Sequence, residues 1–488
     1  MALNLKNIQG DIWPKLPKKT EIFLFFEITN APTFKEKLNG FTKHLTSAHD
    51  AQQILRDIKR RKDNGELQSD DIIDIEAVNI AFSGKGLKKL GKEDLGDDIF
   101  KKGMYNDMVV EGLDRDAEWH GEFKGSRGEI HGVFLLAGST EKAVQDFMVN
   151  VLNPTFKNAP GGSVKYLFAQ TGEVLPHETE HFGWADGVSQ PMIKGLDEPS
   201  TEKLAPPSIK PGIILVGTEG DTENHPAWAK EGSFLVFRRL KQLVPESIQW
   251  VIETFKPQAT NDKGELMMGA LSTLSSRLMG RWRDGVSLEQ KPHTDDIMND
   301  EATVDDGLKK GPEHIALMKS NDFNYHDVQW QDKCPFASHI RKTRPRGDHL
   351  DKDGNLDDTH AIVRRGIPYG PRTQGTETNS GVSMHDRGLL FVSYQSNLRN
   401  GFRHMQKEWS NKVNYPLGKG TNYGGQQPGL DPIIGQWAED DNENNYANIP
   451  RLDDPRKLEK IKLERIVIAE GGEYFFTPSF SGIKELCK

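Results

Sequence analysis

Short apolar runs recur along the chain, each followed by a helically spaced segment or a polar turn. Glu21–Ile28 (EIFLFFEI) is a continuous aromatic and aliphatic run of strand length, which predicts a buried strand. Ala31–Leu45 then spaces its apolar residues as a helix does. Ile72–Ser83 alternates and predicts a second strand, Glu129–Gly138 a third and Val164–Val174 a fourth. Between the last two, Ser139–Leu152 has helical spacing, with Ser139 as the expected N-cap. The resulting order, β-α-β-β-α-β, is the ferredoxin-like pattern.

The second half runs through the same order with larger insertions. Gly232–Leu240 predicts a strand, Lys241–Phe255 and Glu265–Trp282 helices, and His360–Gly370 a segment that begins as a strand. Gly388–Gln395 (GLLFVSYQ) is a strong strand, Ser396–Trp409 a helix capped by Ser396, and Gly471–Ser479 a last strand. No short-period repeat is visible, so the similarity between the halves is one of element order. Two ferredoxin-like α+β units side by side are therefore expected, spanning 1–205 and 206–488. The boundary falls in the proline-rich, polar stretch LDEPSTEKLAPPSIKPG. The polar insertions Pro292–Gln331 and Asn411–Arg456 are expected to be loops.

Composition narrows the function classes. Of 488 residues, 35% are hydrophobic and 28% charged, as in a soluble globular protein. A net charge of −9 argues against a nucleic-acid or anionic-membrane partner, either of which favours a basic face. No apolar stretch is long enough to span a bilayer. Two cysteines, Cys334 and Cys487, make neither a CxxC metal knuckle nor a disulfide framework. The first residues, MALNLKNIQGDIWPKLPKKT, lack the apolar core of a signal peptide. The expectation is a cytoplasmic protein, or a secreted one whose signal was removed ahead of this numbering.

Phosphate-cradling, zinc-protease, nucleophile-elbow and dinucleotide motifs are all missing from the sequence. Three segments remain: His181–Pro191 (HFGWADGVSQP), Cys334–Lys342 (CPFASHIRK) and Arg364–Gly370 (RRGIPYG). Singly, each has an ordinary reading. An Asp before Gly makes turns, a lone His is a hydrogen-bonded structural residue, an Arg in a strand makes a surface ion pair, and Cys334 is a small buried hydrophobe. Jointly, they supply an imidazole that can bind iron, a carboxylate that can move a proton between two oxygens, and a cation that stabilises charge without titrating. Those are the parts of a haem peroxidase, although most chains of this size contain all three residue types.

In this order the segments resemble the dye-decolorizing peroxidase family, in particular its longer fungal-type members. The family's GxxDG motif is matched by Gly183, Asp186 and Gly187. CPFASHIRKTRPR and IVRRGIPYG match two further segments, as do NIQGDI, RGLLFVSYQ, PIIGQ and GGEYFFTPS, so the resemblance runs from residue 7 to residue 479. It implies two ferredoxin-like units with antiparallel sheets facing each other, barrel-like, and one haem b per chain in the C-terminal unit. It also implies His339 as the iron ligand, Asp186 as the distal acid–base residue and Arg364 as the distal arginine. Leu389 and Phe391, two apart in one strand, share a face and would shape the distal pocket. Arg341, His177 and His181 would approach the haem propionates. Asp431 is a candidate for orienting His339 through its other ring nitrogen.

The implied activity is oxidation of bulky dyes and phenolic or other aromatic compounds by hydrogen peroxide, through a ferryl haem. Dyes too large for the pocket need an electron path from the surface, and the resemblance points to Trp409 and Tyr369. The opposing reading makes both half-buried core aromatics. No carboxylate cluster identifies a manganese site, and both monomer and homodimer fit. The alternatives are a non-catalytic haem carrier on the same fold, which needs only His339, and a cofactor-free interaction protein.

Overall fold

The computed structural model describes residues 3–67, 76–92, 94–157, 161–201, 203–293, 312–326, 328–438, 441 and 443–488. Eleven strands are described: β1 (Thr20–Ile28), β2 (Glu76–Ser83), β3 (Gly132–Gly138), β4 (Val164–Glu173), β5 (Ser233–Gln242), β6 (Val363–Arg364), β7 (Ile367–Tyr369), β8 (Gly388–Gln395), β9 (Tyr446–Pro450), β10 (Leu458–Lys462) and β11 (Val467–Thr477). Nine of them form one sheet in the order β4-β1-β3-β2-β11-β5-β8-β6, with β7 also paired to β8. The first four positions repeat in the last four: β11, β5, β8 and β6/β7 occupy in the second half the places of β4, β1, β3 and β2 in the first. Each half is thus a ferredoxin-like sheet, and β11 joins them by pairing with both β2 and β5.

The sheet curls so that its halves face each other. Phe23 and Phe25 of β1 meet Phe237 of β5, each with ring centroids 5.0 Å apart. At the far edge β4 approaches β7 closely. A Cβ on Gly172 would lie 2.4 Å from Ile367 Cγ2, so only glycine fits there. The other face of β1 is covered by helices, with Phe26 against Phe34 of Ala31–Phe41. Burial on both faces explains why Glu21–Ile28 reads as an unbroken apolar run rather than an alternating one.

Several local expectations are corrected. The helix after β3 is Glu141–Phe147 and its cap is Thr140, whose hydroxyl accepts from the Ala143 amide, not Ser139. Ser396 caps nothing. Its hydroxyl bonds the Ile213 carbonyl, and Ser396–Trp409 folds as two π-helical pieces, Arg399–Arg403, kinked inside by the non-helical backbone of Gly401, and Met405–Ser410. The insertion 411–456 carries β9, which pairs with β10 as a separate ribbon. The helix Ala48–Asp63 was not anticipated. It is mostly charged, and its start is a capping box between Ser47 and Asp50. Positions 72–75 of the expected second strand lie outside the described residues, as do 294–311 and 327 of the insertion 292–331, whose described part is not all loop but carries the helix Pro312–Lys319. Among the described residues no helix is long and apolar enough to cross a membrane.

Candidate functional site

A cavity, partly open to solvent, lies in the C-terminal half between β5, β8, β11 and the loops that precede β6 and follow the π-helical pieces. Its walls are mainly apolar, with Leu389, Phe391, Met279, Ile433, Ile434 and Val467 among them. Asp186, His339 and Arg364, drawn from three distant segments, all line it.

Asp186 owes its position to a pinned turn. The Ala185 amide donates to the Arg283 carbonyl at 2.8 Å, and the Trp184 indole donates to the Arg281 carbonyl at 3.1 Å. Gly183 (φ +91°) and Gly187 (φ +76°) bracket the carboxylate in left-handed conformations that a side chain would strain. The Gly187 amide donates to Asp186 Oδ1 at 2.6 Å, and Arg364 Nη1 donates to the same oxygen at 2.8 Å. Oδ2 receives no described hydrogen bond. Burial pushes this carboxyl up, but the Arg364 charge, the Gly187 amide and the Arg364 hydrogen bond outweigh it, and the group is held below the usual carboxylate range. Arg364 is fixed at its backbone by Gln190, whose side chain accepts from the Arg364 amide (3.0 Å) and donates to its carbonyl (3.2 Å).

Across the cavity, His339 opens the short helix His339–Thr343. Its Nδ1 lies 2.9 Å from Asp431 Oδ2, and a carboxylate can only accept, so Nδ1 carries the proton. Nε2 is then an unprotonated donor atom with no described protein partner. Asp431 is fully buried, and its Oδ1 takes the amides of Ile433 (2.8 Å) and Ile434 (3.1 Å). An imidazole with a free Nε2 and a fixed tautomer, inside an apolar cavity, is the donor set that suits a haem iron.

The chain is similar to known proteins over nearly its whole length. The family described as "DyP dimeric alpha+beta barrel domain" matches residues 7–176, and "Dyp-type peroxidase, C-terminal" matches 281–416. A dye-decolorizing peroxidase of Mycena epipterygia is 35% identical over 99% of this chain and 87% of its own length. The chain belongs to the dye-decolorizing peroxidase family. Solved structures agree: an ancestral D-type dye-decolorizing peroxidase superposes with a TM-score of 0.83 at 36% identity, covering all of both chains. A dye-decolorizing peroxidase in complex with 2,6-dimethoxyphenol does so with 0.79 at 34%, again covering all of both chains. The protein is accordingly a haem-dependent peroxidase of the dye-decolorizing type.

Not every expected site residue of this peroxidase reaches the cavity. Leu389 and Phe391 do. Arg341 does not: it is fully buried on the other side of its helix, ion-paired with Asp348 and 4.2 Å from the Tyr325 ring centroid. Two residues along a helix turns a side chain away, whereas Thr343 at i+4 from His339 shares its face and lines the cavity with Arg344. His181 donates from Nε2 to the Tyr369 carbonyl at 2.8 Å, outside the cavity lining, and His177 is exposed in a turn. Neither aromatic expected at the surface is there. Trp409 is 3% exposed and stacked on Tyr415, and Tyr369 is 6% exposed beneath the Arg239 guanidinium. Glu180, Gln242, Arg281 and His360 line the cavity and were not anticipated. Glu180 had the clearest signal, lying in the same segment as Asp186. Its carboxylate takes the Phe182 and Trp184 amides, each at 2.9 Å, and so shapes the turn.

Proposed function

We propose that this peroxidase holds one haem b per chain through His339, and that Asp186 and Arg364 handle hydrogen peroxide on the opposite side. The observation that carries the proposal is the pairing of His339 Nδ1 with Asp431, which leaves Nε2 directed at a cavity whose other wall holds Asp186 and Arg364. When bound, the haem supplies the two-electron reduction of peroxide and returns to its resting state through two one-electron oxidations of substrate.

The residues' own work follows from their bonds. Asp431 keeps His339 in a single tautomer and orientation, and its negative charge raises the basicity of Nε2. Asp186, ionised at neutral pH, would accept a proton from one peroxide oxygen and return it to the other, which departs as water. Its Oδ2 is free for this, because Oδ1 is occupied by Gly187 and Arg364. Arg364 stays charged throughout, so it stabilises negative charge on the departing oxygen without competing for the proton. Leu389 and Phe391 exclude bulk water from the exchange. The reducing substrates are aromatic, consistent with the relative that binds 2,6-dimethoxyphenol.

The test is peroxide kinetics on Asp186→Asn together with haem retention by His339→Ala. Loss of peroxide reactivity in the first, with haem still bound, and loss of the haem Soret band in the second are expected. Normal peroxide reactivity of Asp186→Asn overturns the proton-transfer role.

A further inference from the structure

Beside the cavity, and outside the peroxide-handling residues, three potential ligands converge. His349 Nε2 lies 3.3 Å from Asp357 Oδ2, and His360 Nε2 lies 3.8 Å from the same oxygen. The three ligand atoms fall within 4.8 Å of one another. We propose that His349, Asp357 and His360 form a binding site for a single divalent transition-metal ion of the imidazole-preferring kind, Zn²⁺ or Cu²⁺.

The hydrogen bonds around the cluster orient it for an ion. Asp357 Oδ1 is occupied by Thr359, accepting its amide at 2.9 Å and its hydroxyl at 2.5 Å, so Oδ2 is the oxygen turned to the imidazoles. His360 Nδ1 lies 2.6 Å from the Asn400 carbonyl, which can only accept. The Nδ1 therefore carries the proton, and Nε2 is an acceptor. Asp357 Oδ2 and His360 Nε2 are then two acceptors facing each other with no hydrogen between them, an arrangement that a cation resolves. A backbone carbonyl behind a ligating imidazole is the usual outer support of a metal-bound histidine. Ligand bonds of about 2.0–2.1 Å place tetrahedral ligand atoms roughly 3.3 Å apart, so the two oxygen–nitrogen separations need little contraction. Two imidazoles and one carboxylate suit Zn²⁺ or Cu²⁺ better than Mn²⁺, which prefers oxygen ligands.

The surroundings indicate what the ion does. His349 and His360 close the two ends of the loop 349–360, which leads directly into β6 and Arg364. An ion joining them ties that loop shut ahead of the catalytic arginine. His404 stacks on His360 with centroids 3.7 Å apart, and the Trp409 ring lies 5.3 Å from His349 and 5.2 Å from His360. Trp409 therefore reports on the site.

The test is equilibrium dialysis of the purified holoenzyme against Zn²⁺, Cu²⁺, Co²⁺ and Mn²⁺ in turn, with bound metal measured by mass spectrometry. Asp357→Asn and His349→Gln are compared with wild type, and the haem spectrum of each variant confirms folding. One equivalent of Zn²⁺ is expected, with Cu²⁺ tighter and Mn²⁺ weakest. Affinity should fall at least tenfold, at the lower end of the roughly 10–100-fold range for lost metal-site supports, in both variants. Cu²⁺ should also quench a fluorescence component that Trp409→Phe lacks. No stoichiometric uptake by wild type overturns the proposal, as does uptake undiminished in both variants or a preference for Mn²⁺ over Zn²⁺.

Discussion

The cavity has a carboxylate at each end, and the two are held for different purposes. Asp431, on the His339 side, is fully buried, with Oδ1 taking two backbone amides and Oδ2 committed to the imidazole. Both oxygens are engaged, and the group is a fixed negative charge behind the imidazole. Asp186, across the cavity, has about a third of its side chain accessible, and its one amide and one guanidinium share a single oxygen. The same functional group has both oxygens engaged in one place and one left open in the other, and the proposed proton-transfer role of Asp186 rests on that difference.

The largest expected effects break the open end. Asp186→Asn should slow reaction with peroxide by about 10²–10⁴-fold, the usual contribution of a positioned acid–base group, with haem binding intact; stopped-flow absorbance checks it. Arg364→Leu should be comparably slow and should also shift the pH profile. Because Arg364 holds the Asp186 carboxyl below its usual range, the ionised form of wild type persists into acid. Removing the cation leaves burial to raise that pKa, so the acid limb of the rate profile should move to higher pH. A limb that stays in place means that Asp186 is not the titrating group.

At the closed end, Asp431→Asn should cost about 10–100-fold in haem affinity or turnover by releasing the His339 tautomer, a smaller loss than at Asp186, read by haem titration. Arg341→Ala separates this machinery from its scaffold. Breaking a buried ion pair costs roughly 3–5 kcal/mol of stability, while the peroxide step of whatever remains folded should stay normal, as denaturant melts and rapid mixing would show. The smallest effect is Trp409→Phe, expected to cost about 1–2 kcal/mol of stability through lost packing. Unchanged turnover of a bulky anthraquinone dye by that variant would end any role for Trp409 in carrying electrons outward.

How far these features could be read from the chain follows their physical origin. The strands of both halves were legible because apolar runs and alternation are local, and β8 agrees residue for residue with its expected span. The helix Ala48–Asp63 has an apolar stripe in Ala48, Ala51, Ile54, Leu55 and Ile58, but it is narrow and set among charged residues, and only Ala48 and Ala51 are fully buried. The π-helical pieces after β8 depend on packing that spacing alone does not encode. Among site residues, Asp186, His339 and Arg364 were named from segment resemblance, and they share one cavity. Arg341 and His181 lie outside the cavity lining, because proximity in sequence to a site residue does not fix the direction of a side chain. A side chain two positions along a helix faces away, and a turn can aim its neighbours in opposite directions.

The sequence by itself determined the element order, the two-fold repetition of the ferredoxin-like pattern, the family and the trio Asp186, His339 and Arg364 on which the proposed function rests. Those properties reside in local periodicity and in short segments whose residue types are constrained by their own neighbours. Tertiary structure decided that Asp186 keeps one oxygen open while Asp431 has both engaged, that Arg364 and the Gly187 amide together outweigh burial at Asp186, and that Trp409 lies inside. It also brought His349, Asp357 and His360 around one point. Each of these depends on groups distant in sequence meeting across a low-dielectric interior, where a single hydrogen bond or charge sets the outcome.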